Sequence, residues 1–321
     1  MISRFNKSVM LLIVFALIVP IGVHKAHAAS PTDWTRYPLI AHALGGIDGV
    51  HNTNSYESFK TNYEKGQRVF EVDLILTEDN MLAARHDWMG YLADHLKLNL
   101  PENRRDVPLT MKEFKKYKIL DKYTSISFTD LARIMKGYPD VYFITDTKET
   151  DSQLITKQFI QIRDIAKIID PTILERLIPE IYSPEMMTQV KRIIPFKQVI
   201  FSIYMSSMEP NEVVQYVRKN KIPVVAMPIE RATDKFVNDL KKQGVVTYVH
   251  TVNKVEQFQK LREMGIQGIY TDYLTYKEVG IDSEALTIKT KSTVNALSAT
   301  ATEKKWDLIK VIFTETNKII S

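Results

Sequence analysis

Two alternating residue patterns restrict the fold of this chain more than any other feature of its sequence. Eight short apolar segments, rich in β-branched and aromatic residues, are separated by longer segments in which apolar residues recur every three or four positions. This order predicts strands that alternate with helices, and therefore a parallel sheet. The predicted strands are Leu39–Ala43, Arg68–Leu76, Val141–Asp146, Leu177–Tyr182, Val199–Tyr204, Val224–Met227, Val246–His250 and Gly268–Thr271.

The segments between these strands have the pattern of amphipathic helices. Eight strand–helix units within about 250 residues are the usual size of a (β/α)₈ barrel, also called a TIM barrel. We therefore predict an α/β fold with one such barrel over residues 29–283. The predicted helices are Ser55–Lys65, Ser152–Ile169, Pro184–Ile194, Asn211–Lys219, Thr233–Gln243 and Val255–Met264.

One additional apolar segment, Met81–Asp87, breaks the alternation. It follows the second strand after the short polar turn 77–80, and so short a link allows an antiparallel hairpin but not a parallel crossover. A turn centred on residues 78 and 79 would place His86 opposite Glu71, and a turn centred one residue later would place it opposite Asp73. In either case His86 reaches the C-terminal face of the barrel, where the active sites of this fold lie.

The first 28 residues have the features of a secretory signal peptide. Arg4 and Lys7 precede an apolar run over residues 9–23, which is followed by the small-residue motif Ala26-His27-Ala28. An uncleaved membrane anchor is the alternative, although the cleavage motif favours removal. We expect a secreted protein, with retention at the cell surface as a variant of the same expectation.

Composition argues against several classes of protein. The chain has no cysteine, so neither a disulfide framework nor a lipid-attachment cysteine is available. Its formal net charge is +5, and removal of Arg4, Lys7 and Lys25 with the signal peptide leaves 40 basic against 38 acidic residues. Because that small excess is not clustered, we expect no nucleic-acid partner.

Two segments fall outside the barrel repeat. Residues 88–127, called the insertion below, directly follow His86 and lie over the predicted barrel mouth, either as a substrate-shaping lid or as a plain surface excursion. The tail, residues 284–321, ends in apolar residues flanked by lysines. It could dock on the barrel, contact a membrane surface or pair with another chain, and docking is the simplest of these.

Three acidic residues mark the ends of neighbouring predicted strands. Glu71 and Asp73 are two positions apart, so both carboxylates project to the same side of the second strand. Asp146 ends the next parallel strand, with Lys148 on the same side. A single acid in such a place is usually a helix cap or exposed to solvent, but three gathered carboxylates suit Ca²⁺ or Mg²⁺.

Two histidines accompany these acids. His42 ends the first strand, and the predicted hairpin brings His86 to the same rim. Each histidine alone is more often structural than catalytic, but a pair beside a carboxylate metal site can act as an acid–base couple, since imidazole titrates near neutral pH. Glu180 and Tyr182 alternate at the end of their strand, which makes them candidates for either substrate contact or rim packing.

The order of these residues resembles the pattern of the glycerophosphodiester phosphodiesterase family. Any one fragment would be a weak signal, but the ordered set covers almost the whole predicted barrel. It comprises His42, Asn54-Ser55, Phe59, Gly66, Glu71-Val72-Asp73, Leu76-Thr77, Asp79, His86-Asp87, Asp146-Thr147-Lys148, Thr251-Val252-Asn253, Gly265 and Gly268-Ile269-Tyr270-Thr271-Asp272.

The resemblance implies a (β/α)₈ barrel that binds a divalent cation, Ca²⁺ or Mg²⁺, and hydrolyses phosphodiesters. It implies that Lys148 meets the substrate phosphate and that Asn54 supports the first loop of the substrate site. The remaining residues that it implies are the cation ligands Glu71, Asp73 and Asp146, and the general base and general acid, His42 and His86.

Four positions depart from the family pattern. Ala43 and Thr53 stand where the family usually has an arginine and an acidic residue. Asp146 is shorter than the usual glutamate, so it could bind a cation through water. His250 replaces a tryptophan and is a further candidate for substrate contact. These departures concern the identity of the substrate more than the class of reaction.

Three functions are compatible with these residues. The first is hydrolysis of a glycerophosphodiester outside the cytoplasm, either a small lipid-derived phosphodiester or a glycerol-phosphate polymer of the cell wall. The second is a phospholipase C- or D-like activity that forms a cyclic phosphate, and the third is a barrel that binds a phosphorylated ligand without turnover. The acids favour the first, and motifs for nucleotide hydrolysis, redox chemistry and zinc peptidases do not occur in the sequence.

Overall fold

Nine strands lie between residues 33 and 287, the range that the computed structural model describes. Eight are parallel and form a closed barrel, and one pairs antiparallel on the outside. All eight predicted barrel strands are present, so the predicted (β/α)₈ barrel is confirmed. The strands are β1 (Leu39–Ala41), β2 (Val69–Leu76), β3 (Leu82–Ala84), β4 (Tyr142–Asp146), β5 (Leu177–Ile181), β6 (Ile200–Ser202), β7 (Val224–Pro228), β8 (Val246–His250) and β9 (Gly268–Thr271).

The barrel closes around its first strand. Ala41 of β1 pairs with Phe70 of β2, and Leu39 of β1 pairs with Ile269 of β9. The other parallel strands are neighbours in chain order, from β2 and β4 through to β9. Because all eight strands run in one direction, their C-terminal ends open on a single face, and the loops that follow them surround one mouth.

Helices follow the strands, and several of them begin at a capping side chain. Ser55, Asp151 and Thr233 each accept a hydrogen bond from a backbone N–H in the first turn of the next helix. All six predicted helices are present, with ends that differ by no more than one residue. The helices are α1 (Tyr56–Glu64), α2 (Gly90–His95), α3 (Met111–Lys116), α4 (Phe128–Gly137), α5 (Ser152–Ile169), α6 (Pro184–Ile193), α7 (Pro210–Asn220), α8 (Asp234–Lys242), α9 (Val255–Met264) and α10 (Ser283–Thr287).

The predicted hairpin is present, but both predicted registers are wrong. Leu74 pairs with Ala84 and Leu76 with Leu82, so the turn centres on Asp79 alone. The Thr77 hydroxyl donates a 2.6 Å hydrogen bond to the Asp79 carboxylate, within this turn of an odd number of residues. His86 therefore lies beyond the end of β3, in the loop at the barrel mouth, rather than directly across from an acid.

The insertion buries an apolar cluster of its own. Trp88, Leu92 and Phe114 belong to this cluster, which is distinct from the main core of the barrel and includes Ala83 of β3. A second cluster gives the segment a packed interior at the mouth. The predicted signal peptide and residues 288–321 of the tail lie outside the described residues. None of the helices between residues 33 and 287 combines the length and apolarity needed to cross a bilayer.

Candidate active site

A cavity of about 170 Å³ opens at the C-terminal ends of the barrel strands. Its lining contains seven of the ten side chains selected from the sequence, and the other three, Asn54, Asp73 and Tyr182, lie behind them. The cavity is also lined by Tyr204 and Tyr270, which sequence analysis did not select. The seven are His42, Glu71, His86, Asp146, Lys148, Glu180 and His250.

The three predicted acids converge at one edge of the cavity. Asp73 and Asp146 are register partners on β2 and β4, and Glu71, Asp73 and Asp146 each offer an oxygen within 4.8 Å of the others. One oxygen of Glu71 accepts a 2.6 Å hydrogen bond from the backbone N–H of Ala43. Its other oxygen is buried and has no hydrogen-bond partner among the described residues. Three converging carboxylates with an oxygen left over fit a divalent cation.

Lys148 compensates part of this negative charge. Its ammonium lies 2.8 Å from Asp146 Oδ2 and also contacts the Asp73 carboxylate. Burial raises the pKa of Asp73, but the positive charges of Lys148 and the two histidines outweigh burial and lower that pKa to about 2. Burial and the charge of Asp73 raise the pKa of Glu71 well above its usual range. Lys148 therefore compensates the charge of Asp73 more fully than that of Glu71.

His42 belongs to a hydrogen-bonded chain that sequence analysis did not assign. Its Nδ1 lies 2.8 Å from Asp272 Oδ1, and the Asn253 amide donates a 2.7 Å hydrogen bond to the other oxygen of Asp272. His42 Nε2 lies 3.9 Å from Glu71 Oε2. Burial lowers the pKa of His42, but the Asp272 hydrogen bond and the charges of Glu71 and Asp272 raise it to about 9.

Asp272 could have been found from the sequence by the criterion that selected Asp146. It follows β9 directly, at the same end of the barrel as the three acids. It differs from Asp146 in that it contacts a histidine and an amide instead of the acid cluster. Its partner Asn253 also accepts a 2.8 Å hydrogen bond from the backbone N–H of Asp272, so side chain and backbone are held together.

His86 has a carboxylate partner as well. Its Nδ1 lies 2.7 Å from Oδ2 of Asp87, the next residue in the chain. Because Asp87 accepts, Nδ1 carries the hydrogen, and Nε2 is the ring nitrogen left for other contacts. His42 and His86 are thus each oriented by an aspartate through the same ring atom, Nδ1.

Asn54 and Tyr182 contact the acids instead of lining the cavity. The Asn54 amide donates a 2.7 Å hydrogen bond to Asp73 Oδ2, and its oxygen accepts from the Asp73 backbone N–H at 3.1 Å. The Tyr182 hydroxyl donates to Asp146 and accepts from the backbone N–H of Thr147 at 3.0 Å. In this arrangement both side chains orient carboxylates, and neither reaches the cavity directly.

The opposite side of the cavity is mostly aromatic. His250 packs edge-on between Tyr204 and Tyr270, with ring centroids 5.7 and 5.8 Å away. Burial and the positive charge of His42 lower the pKa of His250 to about 4, and its Nε2 is buried with no hydrogen-bond partner among the described residues. Burial and the nearby Asp146 raise the pKa of Glu180 to about 7. This side offers hydrogen-bond acceptors but no cation near neutral pH.

The parallel barrel and its acid- and histidine-lined mouth are those of a phosphoric diester hydrolase. Residues 45–275 match the model of the glycerophosphoryl diester phosphodiesterase family, so the chain belongs to that family. A search of curated proteins finds no significant match.

Solved structures similar to this chain share its fold. A glycerophosphodiester phosphodiesterase from Parabacteroides distasonis is 17% identical with a TM-score of 0.60, and the match covers 79% of this chain and 98% of that one. An Oleispira antarctica phosphodiesterase in complex with its product sn-glycerol-3-phosphate is 16% identical with a TM-score of 0.61, over 74% and 93%. A glycerophosphodiester phosphodiesterase from Thermotoga maritima is 20% identical with a TM-score of 0.54, over 73% and 94%.

Proposed function

We propose that this protein is a secreted, metal-dependent phosphodiesterase that hydrolyses glycerophosphodiesters to glycerol phosphate and an alcohol. One observation carries the proposal: two aspartate-oriented histidines, a lysine and a carboxylate cluster meet at a single cavity. Secretion rests on the charged, apolar and small-residue order of residues 1–28.

Glu71, Asp73 and Asp146 are the proposed ligands of the cation, with Ca²⁺ and Mg²⁺ both compatible with an all-oxygen set. Enzymes of this family depend on a divalent metal. When bound, such an ion polarises phosphoryl oxygens and stabilises the charge that develops on them. Lys148, which already contacts two of these acids, supplies a further positive charge for the phosphate.

His42 and His86 are the proposed general base and general acid. Asp272 orients His42 so that Nε2 is the atom that takes a proton from the attacking water. Asp87 orients His86 in the same way, and protonated His86 gives the proton on its Nε2 to the departing alkoxide. The hydrogen bond with Asp272 contributes most to the rise in the pKa of His42 to about 9, and the charges of Glu71 and Asp73 add to it. Positive charge held among those acids lowers this pKa toward the range in which His42 can accept a proton.

The substrate side of the proposal rests on the size and polarity of the cavity. A volume of about 170 Å³ accommodates a phosphate and a small alcohol, and the polar residues Glu180, Tyr204 and His250 line it. We assign to Glu180 and His250 the binding of glycerol hydroxyls, which donate hydrogen bonds to acceptors. The soluble diester is a deacylated lipid headgroup or the end of a glycerol-phosphate polymer of the cell wall. Contact with a membrane surface through the tail, whose residues 288–321 lie outside the described range, remains a further part of this proposal.

A product assay tests the proposal. The purified protein, stripped with a chelator, is incubated with glycerophosphoglycerol, glycerophosphoethanolamine and a glycerol-phosphate oligomer, with Ca²⁺, with Mg²⁺ or with neither. We expect glycerol phosphate, identified by mass, only when a cation is present. Undiminished turnover in chelator would remove the metal from the proposal, and an accumulating cyclic phosphodiester would replace hydrolysis. Cation-dependent binding without any product would indicate a binding protein.

A further inference from the structure

The first helix of the insertion carries a tyrosine that contacts the partner of a proposed catalytic histidine. We propose that Tyr91, acting through Asp87, is a positioning residue for His86. The inference rests on the role of His86 as general acid in the proposed function, and it connects the insertion with the chemistry of the barrel.

The carboxylate of Asp87 is held from three directions. Its Oδ1 accepts a 2.7 Å hydrogen bond from the backbone N–H of Met89. Its Oδ2 accepts from His86 Nδ1 at 2.7 Å and also from the Tyr91 hydroxyl. Because His86 and Tyr91 share one oxygen, the tyrosine hydroxyl fixes the atom that orients the imidazole. Without that hydroxyl, only the backbone N–H of Met89 and His86 itself hold the carboxylate.

The Tyr91 ring itself contributes little to packing. The residue is 58% exposed, so its main interaction is the one that its hydroxyl makes with Asp87. That hydrogen bond, together with burial, raises the pKa of Tyr91 to about 12, so the phenol remains a donor at neutral pH. Tyr91 is also near enough to Lys148 and Asp73 to interact with their charges, which places it at the mouth.

The insertion fixes the position of Tyr91. Tyr91 lies in the first turn of α2, and other residues of this helix, including Leu92 and Ala93, are buried in the insertion cluster. Trp88 anchors the preceding loop through a 2.9 Å hydrogen bond from its indole N–H to the Leu76 carbonyl at the end of β2. The packed interior of the insertion therefore determines where the hydroxyl meets Asp87.

A leaving-group comparison tests this role. A general acid matters most when the departing alkoxide is basic, and little when it is a good leaving group. The Tyr91→Phe variant is therefore assayed on glycerophosphoethanolamine and on the p-nitrophenyl ester of glycerol 3-phosphate. We expect kcat to fall about 5- to 30-fold on the first substrate and less than about twofold on the second, with KM changed by less than about twofold, as for loss of one charge-assisted hydrogen bond.

Two controls separate this inference from the proposed function. Tyr117→Phe, in the same insertion, removes a hydroxyl that makes no hydrogen bond to Asp87 or His86, and we expect it to retain wild-type rates on both substrates. His86→Ala must show the same leaving-group dependence in stronger form. If His86→Ala loses activity equally on both esters, the general-acid assignment fails. Only the role of Tyr91 is overturned if His86→Ala loses activity mainly on glycerophosphoethanolamine while Tyr91→Phe either keeps both rates or loses both equally.

Discussion

The two sides of the cavity are built from the same kind of strand end but carry different chemistry. On the side of β1 to β4, the lining residues are His42, Glu71, His86, Asp146 and Lys148. On the side of β5 to β9, they are Glu180, Tyr204, His250 and Tyr270. The first side gathers charges that must compensate one another, whereas the second is aromatic and holds a histidine that stays neutral. We interpret the first as the reacting side and the second as the recognising side.

Physical chemistry gives a reason for keeping the two sides apart. Buried charges are tolerated only when paired, and each acid on the reacting side is held by Lys148, a tyrosine, an amide or a backbone N–H. Such a network leaves little freedom for change. The recognising side carries no charge network of this kind. Substitutions there, such as histidine for tryptophan at position 250, can therefore change which substrate is preferred without disturbing the reaction.

The largest effect is expected when one acid is removed from the reacting side, and this substitution tests the assignment of the two sides. Glu71→Gln should lower kcat by roughly 10³-fold or more, since the cation loses a ligand and several kcal/mol of transition-state stabilisation. Without cation, its melting temperature should be no lower than that of the wild type, because glutamine keeps the size of the side chain and removes a charge that burial and Asp73 disfavour. Saturating Ca²⁺ or Mg²⁺ should raise the melting temperature of the wild type by about 5–10 °C and leave the variant unchanged.

Glu180→Gln is the matched control for that experiment, because it makes the same change on the recognising side. It should keep the cation-dependent rise in melting temperature. Loss of the rise in Glu180→Gln, with retention in Glu71→Gln, would reverse the assignment of the two sides.

A smaller effect is expected from the support of His42. Asp272→Asn should lower the pKa of His42 in the cation-free protein, followed by NMR titration, and reduce kcat by roughly 10- to 100-fold. The raised pKa of His42 also determines how the free energy of unfolding changes with pH. Protonated His42 stabilises the fold fully below its unfolded pKa of about 6.5, and this contribution disappears as the pH rises through about 9.

Urea unfolding measures this contribution directly. The wild type should lose more stability between pH 6 and pH 9.5 than Asp272→Asn loses over the same interval. An unchanged difference between the two pH values in the variant would mean that Asp272 does not set the titration of His42.

The smallest expected effect lies on the recognising side. His250→Ala should raise KM for a glycerophosphodiester about three- to tenfold and change kcat by less than about twofold, as for loss of one hydrogen bond made equally to substrate and transition state. His250→Asn, which retains an acceptor, should recover much of the affinity. Because the pKa of His250 is about 4, neither variant should alter the pH dependence near neutrality. A large fall in kcat would place His250 on the reacting side.

Much of this arrangement was predictable because it depends on periodicity. Alternation along a strand fixes the side to which Glu71, Asp73 and Asp146 project, and parallel strands bring their C-terminal ends to one face. The ordered family pattern added the grouping of His42 with those acids. The hairpin register was not predictable, since a shift of the turn by half a residue exchanges which strand positions face each other. The actual turn, centred on Asp79, corresponded to neither prediction.

The sequence by itself determined the barrel, its extra strand and the acids and histidines that meet at its mouth, because these follow from local patterns repeated along the chain. Only the tertiary structure decided which partner each side chain has. Asp272 lies 230 residues from His42 along the chain, and Tyr182 and Asn54 reach Asp146 and Asp73 from other parts of the chain. Such contacts depend on how whole elements pack, and no local pattern records them.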